Sequence, residues 1–341
     1  MVVICIILGV VTGLANIAII LVMTCYSLVK NNQARLKISI ACADLLIGFI
    51  YFLLSGLLNL FYLFDQSISL DKLIEITSMS NDTFSIYSPA KIVYYYDVYH
   101  KRIIIDILAI SMHLSLFVSI YTLCVASVDR FLAIAHPLKY MANEEKAERY
   151  TKYAIVIIWI LAVAISLLPK IIPDLEFYVL SNVPIIILRG CNSLIFISGY
   201  IIVMALPVIT IWVMSIKTFC AYKKQGGKTL QITSNMQELN RRKERRLART
   251  LSYMVGAFTI SVIPVVLITI FRLTIPQINP LTSIRNKDFI GTTACNSLQY
   301  VTCLMSGCNS LWNVFVYNRR NDEFRHSFRK FIRKIISFIK R

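Results

Sequence analysis

Residues 103–140 read IIIDILAISMHLSLFVSIYTLCVASVDRFLAIAHPLKY. As far as Val128 the only acidic or basic side chains are Asp106 and His113; Asp129 and Arg130 then stand side by side, and His136-Pro137 follows. A hydrocarbon core about 30 Å thick is crossed by about 20 mostly apolar helical residues. A helix over 103–135 is therefore long enough to span a bilayer, with a charged pair at one end. Pro137 lacks the N–H that would continue such a helix, so the span stops before it.

Apolar runs of similar kind lie at 1–29, 36–64, 153–169, 194–221, 247–271 and 289–317. With 103–135 they make seven spans, and no soluble domain is left to place. The composition agrees, with 57% hydrophobic and only 16% charged residues among 341. The expected fold is an all-α membrane protein, a seven-helix bundle over 1–317, followed by a short amphipathic tail over 318–341. The seventh run is the least apolar, with Thr292, Asn296, Gln299, Asn309 and Asn313 inside it. Polar residues in a membrane helix face the bundle interior, so this helix is expected to line a cavity. The first run lacks the basic start and small-residue cleavage pattern of a signal peptide and is read as a true span. That leaves almost no N-terminal tail: the protein either dispenses with one or has lost a first exon.

A net charge of +18 invites a nucleic-acid reading. The loops decide otherwise. Counted with the adjoining span ends, those after the first, third, fifth and seventh spans carry 27 of the 36 lysines and arginines, and the remaining three carry 9. The positive-inside rule then puts the C-terminus in the cytoplasm and the N-terminus outside, and nucleic acid is not needed to explain the charge. The sequon Asn81-Asp82-Thr83 falls in an outer loop, where Asn81 is a glycosylation candidate. Nine cysteines and four scattered histidines show no metal-ligand spacing.

Further marks fall at matching places in the spans. Asn16 lies in the first span, Ile40-Ala41-Cys42-Ala43-Asp44-Leu45-Leu46 in the second and Trp159 in the fourth. Pro207 lies in the fifth, Phe258 and Pro264 in the sixth, and Asn309-Ser310-Leu311-Trp312-Asn313-Val314-Phe315-Val316-Tyr317 in the seventh. With Asp129-Arg130-Phe131 and His136-Pro137-Leu138, the chain from Asn16 to Phe331 resembles the rhodopsin-like G-protein-coupled receptors, whose D-R-Y and N-S-x-x-N-P-x-x-Y motifs these segments approximate.

The resemblance implies a receptor that binds an extracellular ligand and signals to a heterotrimeric G protein. It implies a coupling surface of Asp129, Arg130, Pro137 and Leu138, with Arg130 locked to Glu244 twenty residues before Pro264; Glu244 alternatively pairs only with its neighbouring arginines. It groups Asn16, Ser119, Asn309, Ser310 and Asn313 around Asp44 as a sodium pocket, or as a hydrogen-bond network without an ion. An ionised Asp44 at mid-membrane costs at least about 2.5–3.5 kcal/mol, so it needs partners or a proton. Pro207, Phe258, Pro264 and Tyr317 take the activation-hinge positions. Phe324, Phe328, Phe331, Ile332 and Ile335, flanked by Arg325, Arg329, Lys330, Arg333 and Lys334, pattern a helix lying on anionic membrane lipid.

Several family features are missing. Ile105 replaces the outer cysteine that usually bonds the second outer loop, leaving Cys191 with Cys295 or Cys5 as alternative partners. Val262 replaces a tryptophan, Val314 a proline and Ser215 a tyrosine. Met112 stands where amine receptors carry aspartate, and Gly307 where opsins carry the retinal lysine. The implied ligand pocket, Met112, Leu116, Val265, Val266, Thr269, Gln299 and Cys303, is mostly apolar and suits a lipid or small apolar molecule. The long loop at 65–102, with Tyr94-Tyr95-Tyr96-Asp97-Val98-Tyr99, offers aromatic contacts to a peptide instead. A channel or transporter would show inverted repeats, and an intramembrane enzyme would show paired acids at depth; neither pattern is present. A decoy or silent receptor remains the alternative. Beyond Tyr317 only Ser327 and Ser337 can accept phosphate, so tail-driven arrestin capture is expected to be weak.

Overall fold

The computed structural model describes residues 2–25, 32–64, 102–172, 176–179, 186–189, 193–226, 250, 252–264, 267–268, 289–320 and 322–339. Each of the seven expected spans contains a described helix. They are α1 (Val2–Cys25), α2 (Asn32–Leu45) leading through a π-helical segment (Leu46–Leu54) into α3 (Ser55–Phe64), and α4 (Arg102–Ala135). After the short α5 (Pro137–Ala142) come α6 (Glu144–Ile171), α7 (Ser193–Gly226), α8 (Ser252–Pro264) and α9 (Phe289–Arg320), and α10 (Asp322–Ile339) follows. Among the described residues, five helical stretches are long and apolar enough to cross a membrane, and α8 is a shorter apolar one. At about 1.5 Å rise per residue, the 34 residues of α4 more than cross the hydrocarbon layer. The chain is a multi-pass membrane protein.

The helix α4 forms the axis. It packs against α2, the π segment, α6 and α7, and its Phe117, Val118 and Ile120 are fully buried in the main apolar core with Ile19, Leu36, Ile211, Phe258 and Tyr317. In contrast, α6 and α7 turn Val156, Ile157, Ile160, Leu206, Ile209 and Ile216 outward. Such extended exposed apolar faces have lipid as their natural solvent. At His136 the backbone leaves helical geometry (φ −132°, ψ 59°), and Pro137 opens α5 at its first position, where the missing N–H costs nothing. Glu144 and Glu145 fall in the first turn of α6 and Lys170 in its last, both favourable to the helix dipole. A feature the sequence did not announce follows: an antiparallel hairpin of β1 (Glu176–Val179) and β2 (Ile186–Arg189), with Glu176 opposite Arg189.

A close helix seam joins α1 to the π segment. A Cβ at Gly9 would fall 2.6 Å from the Leu53 nitrogen and 2.8 Å from the Gly48 oxygen, and one at Gly13 would fall 2.4 Å from the Phe49 ring. Glycines four apart on one helix face let two backbones approach this closely. The π segment, one continuous apolar span by sequence, widens the helix there and buries Tyr51 and Phe52. In α9, Val314 keeps the N–H a proline would lack, and the helix runs unbroken to Arg320.

A Gly13→Val substitution should overpack this seam and cost about 1–3 kcal/mol. Gly199→Val, where nothing lies within 4 Å, should stay within about 1 kcal/mol. Thermal melts of the purified protein in detergent compare the two.

Candidate functional site

Two buried carboxylates organise the polar interior. Asp129, near the end of α4, accepts three donors: Gln33 Nε2 of α2 at 2.6 Å, Tyr140 Oη of α5 at 2.7 Å and Arg130 Nη2 at 3.0 Å. Gln33, Asp129 and Arg130 are all buried. A buried carboxylate is tolerated only when its lone pairs are met by donors or charge. Here one comes from each of two neighbouring elements and one from the next residue. Burial, then the negative charge of Asp129, pushes the Tyr140 hydroxyl well above its ordinary pKa, so it stays a proton donor. At this end Arg35 of α2 also meets Glu148 of α6 at 2.8 Å.

The second carboxylate, Asp44 of α2, is 1% exposed. Ser310 Oγ donates to its Oδ1 at 2.8 Å and Asn313 Nδ2 to its Oδ2 at 2.9 Å, joining α2 to α9. Residues 310 and 313 lie three apart on one helix face, which is why both reach the same group. Ser119 of α4 stands near enough to act on the carboxylate, yet its hydroxyl makes no hydrogen bond. Asn16 is fully buried; its Nδ2 donates to the Thr12 carbonyl at 2.9 Å while its Oδ1 has no donor. Among the described residues, no hydrogen bond ties Asn16 or Asn309 to Asp44.

With this geometry in place the chain can be set beside known proteins. Residues 15–317 match the family described as 7 transmembrane receptor (rhodopsin family). The chain belongs to this family. Similar curated proteins include the adenosine receptor A2a of Canis lupus familiaris, 25% identical over 239 residues. That match covers 63% of this chain and 52% of the relative. The adenosine receptor A2b of Bos taurus is 27% identical over 236 residues, covering 64% and 65%. The chain thus spans roughly half to just under two thirds of these relatives' length.

The remaining expected site residues of this rhodopsin-family chain are only partly brought together. Pro137 opens α5, and Leu138 beside it is 82% exposed. Glu244 lies outside the described residues, and the acid observed on Arg130 is Asp129. Of the hinge residues, Pro207 sits within α7, Phe258 and Tyr317 are buried in the core, and Pro264 is the last residue of α8. Met112 and Leu116 pack against different clusters. Met112 lies against Cys5, Ile47, Tyr51, Phe52 and Leu108, and Leu116 against the main core. Val265, Val266, Thr269, Asn81, Cys191 and the tyrosine run at 94–99 fall outside the described residues, as do the side chains of Ile105, Cys295, Gln299 and Cys303. A Cβ at Gly307 would lie 2.2 Å from the Phe52 ring, so a lysine there would displace that ring.

Three contacts escaped the sequence reading. Pro207 cannot donate to the carbonyl four residues earlier, that of Val203, and the Tyr121 hydroxyl of α4 donates to it instead at 2.9 Å. Trp159 Nε1 donates to Ser39 Oγ at 3.1 Å, tying α6 to α2. Asp106 of α4 pairs with Lys170 of α6 at 2.5 Å, beside the Ile105 position that lacks the family cysteine. Only the proline carried a sequence signal, because it leaves a carbonyl in need of a donor.

Tyr121→Phe should orphan the Val203 carbonyl and cost about 1–3 kcal/mol, read as a lower melting temperature. In a double-mutant cycle, Asp44→Asn and Asn313→Leu should couple by about 0.5–3 kcal/mol.

Proposed function

We propose that the chain is a G-protein-coupled receptor of the plasma membrane, with residues 1–317 as receptor domain and 318–341 as a membrane-lying tail. Its Arg130 end and C-terminus face the cytoplasm, and its N-terminus lies outside. The observation that carries this reading is the buried Asp129 node. A cationic Arg130 held by its neighbouring acid, with Gln33 and Tyr140 on the same carboxylate, is a closed arrangement that can open only as a unit. Opening exposes Arg130, with Pro137 and the exposed Leu138, to a heterotrimeric G protein, and Glu244 reinforces the closed form. The 27-to-9 distribution of basic residues across the loops supports the orientation. Basic residues along α10 support its contact with anionic lipid. Asn81 carries the glycan.

The Asp44 region suits a sodium ion. A hard monovalent cation takes oxygen ligands. Besides the carboxylate, the Asn16 Oδ1 and Ser119 Oγ atoms are buried oxygens without a hydrogen-bond donor. Such an ion would be held chiefly by Asp44 and would favour the closed form. The ligand enters from the outer side, toward Met112, Leu116, Val265, Val266, Thr269, Gln299 and Cys303. The adenosine receptors among the relatives make adenosine the first compound to try, followed by lipids, small apolar molecules and peptides.

The deciding experiment measures basal activation across a panel of Gα sensors at verified surface expression. Glu244→Ala should raise basal output several-fold and Arg130→Ala should abolish it. Silence of every form would favour a decoy receptor, the reading that Val262 and Val314 in the hinge region also suggest. For sodium, raising NaCl against a choline control should raise the melting temperature of the wild type. It should leave Asp44→Asn unmoved.

A further inference from the structure

One face of α6 changes its chemistry in a fixed order along the helix axis. Lys146, Arg149, Tyr150, Tyr153, Ile157 and Ile160 recur at steps of three and four, so they share a single stripe. All six are exposed, the two tyrosines at 71% and 65%. Lys146 and Arg149 form no ion pair or hydrogen bond among the described residues. Glu148 turns away from the stripe and is taken by Arg35 at 2.8 Å and Lys152 at 2.9 Å. From Lys146 to Ile160 the helix rises about 21 Å at about 1.5 Å per residue. A bilayer with its headgroups is about 40–45 Å thick, so one leaflet measures about the same. Over that depth the face presents cations, then phenol rings, then alkyl side chains. A phospholipid presents its phosphate, its glycerol esters and its acyl chains in the same order.

We propose that this face of α6 is a binding surface for one anionic glycerophospholipid of the adjacent leaflet, of the phosphatidylserine type. Lys146 and Arg149 take the headgroup, because cations at a membrane surface attract anionic lipid in proportion to their number. Arg149 can also hold a phosphate through two parallel N–H groups. Tyr150 and Tyr153 lie at the ester level, where amphipathic rings settle between water and hydrocarbon. The acyl chain runs along Ile157 and Ile160. A zwitterionic lipid brings the same chains without the net charge and is held less tightly. This surface is separate from α10, whose lipid contact rests on its own basic residues.

The test places benzoylphenylalanine at position 157 of the full chain in nanodiscs of equal phosphatidylserine and phosphatidylcholine. After irradiation, mass spectrometry identifies the crosslinked lipid. The same probe in place of Ile209, an exposed residue of α7, reports the bulk ratio. Both leaflets are alike and no ligand or G protein is present, so failure of the signalling or orientation reading would not disturb the result. Phosphatidylserine should be enriched about tenfold at position 157 relative to position 209. Lys146→Gln combined with Arg149→Gln should bring the ratio within about twofold of bulk, while Lys146→Arg should keep the enrichment. Sodium chloride at about 1 M, which shortens the screening length to about 3 Å, should also remove it. A bulk ratio at position 157 in the wild type would overturn the proposal and leave the two cations to an acidic protein surface. Enrichment that survives the double variant would overturn it too. If the double variant does not fold, the salt arm on the wild type decides: loss of enrichment sustains the headgroup contact and persistence overturns it.

Discussion

A carboxylate inside a lipid-embedded bundle leaves water without gaining a solvent that can replace it. The penalty is several kcal/mol per ion unless donors converge on it. Asp129 and Asp44 meet that demand with donors from elsewhere in the chain, and this requirement fixes how the elements stand. Asp129 needs Gln33 and Tyr140, so α2, α4 and α5 must meet at one point. Asp44 needs Ser310 and Asn313, so α9 must lie against α2 at that height. The apolar core fills the space these two nodes leave.

The same logic runs through smaller features. Pro207 removes a donor within α7, and Tyr121 supplies an acceptor's partner from another helix. Glycines along α1 remove side chains so that the backbone can approach the π segment, and the π segment widens where that approach occurs. In each case a local irregularity is matched by a residue distant in sequence. Local defects of this kind are stable only when the surrounding packing over-determines them.

The chain departs from its family where a covalent or conformational constraint is usual. At the N-terminal end of α4 an ion pair between Asp106 and Lys170 lies next to a position without its cysteine. In α9, Val314 leaves the helix continuous, and Tyr317 near its end meets side chains from two other helices. Lys37 and Phe324 supply those contacts, from α2 and α10.

Hydropathy alone determined the spans, because the cost of burying a peptide group in lipid forces long apolar helices. The motif residues Asp44, Asp129, Arg130, Ser310 and Asn313 were legible as well, since an ionisable or amide side chain in an apolar run must have a partner. The family resemblance also pointed to Ser310 and Asn313 as partners of Asp44, whereas the partners of Asp129 were not legible. Gln33 and Tyr140 are 96 and 11 residues from Asp129, and nothing local to either one distinguishes it from a surface polar residue. Lys37 drew no notice in the sequence, yet the fold buries it over the Tyr317 ring. The hairpin Glu176–Val179/Ile186–Arg189 and the π turn of Leu46–Leu54 likewise depend on pairing and packing across the chain. Sequence sets which groups cannot be left alone in lipid; tertiary structure decides which distant group answers each one.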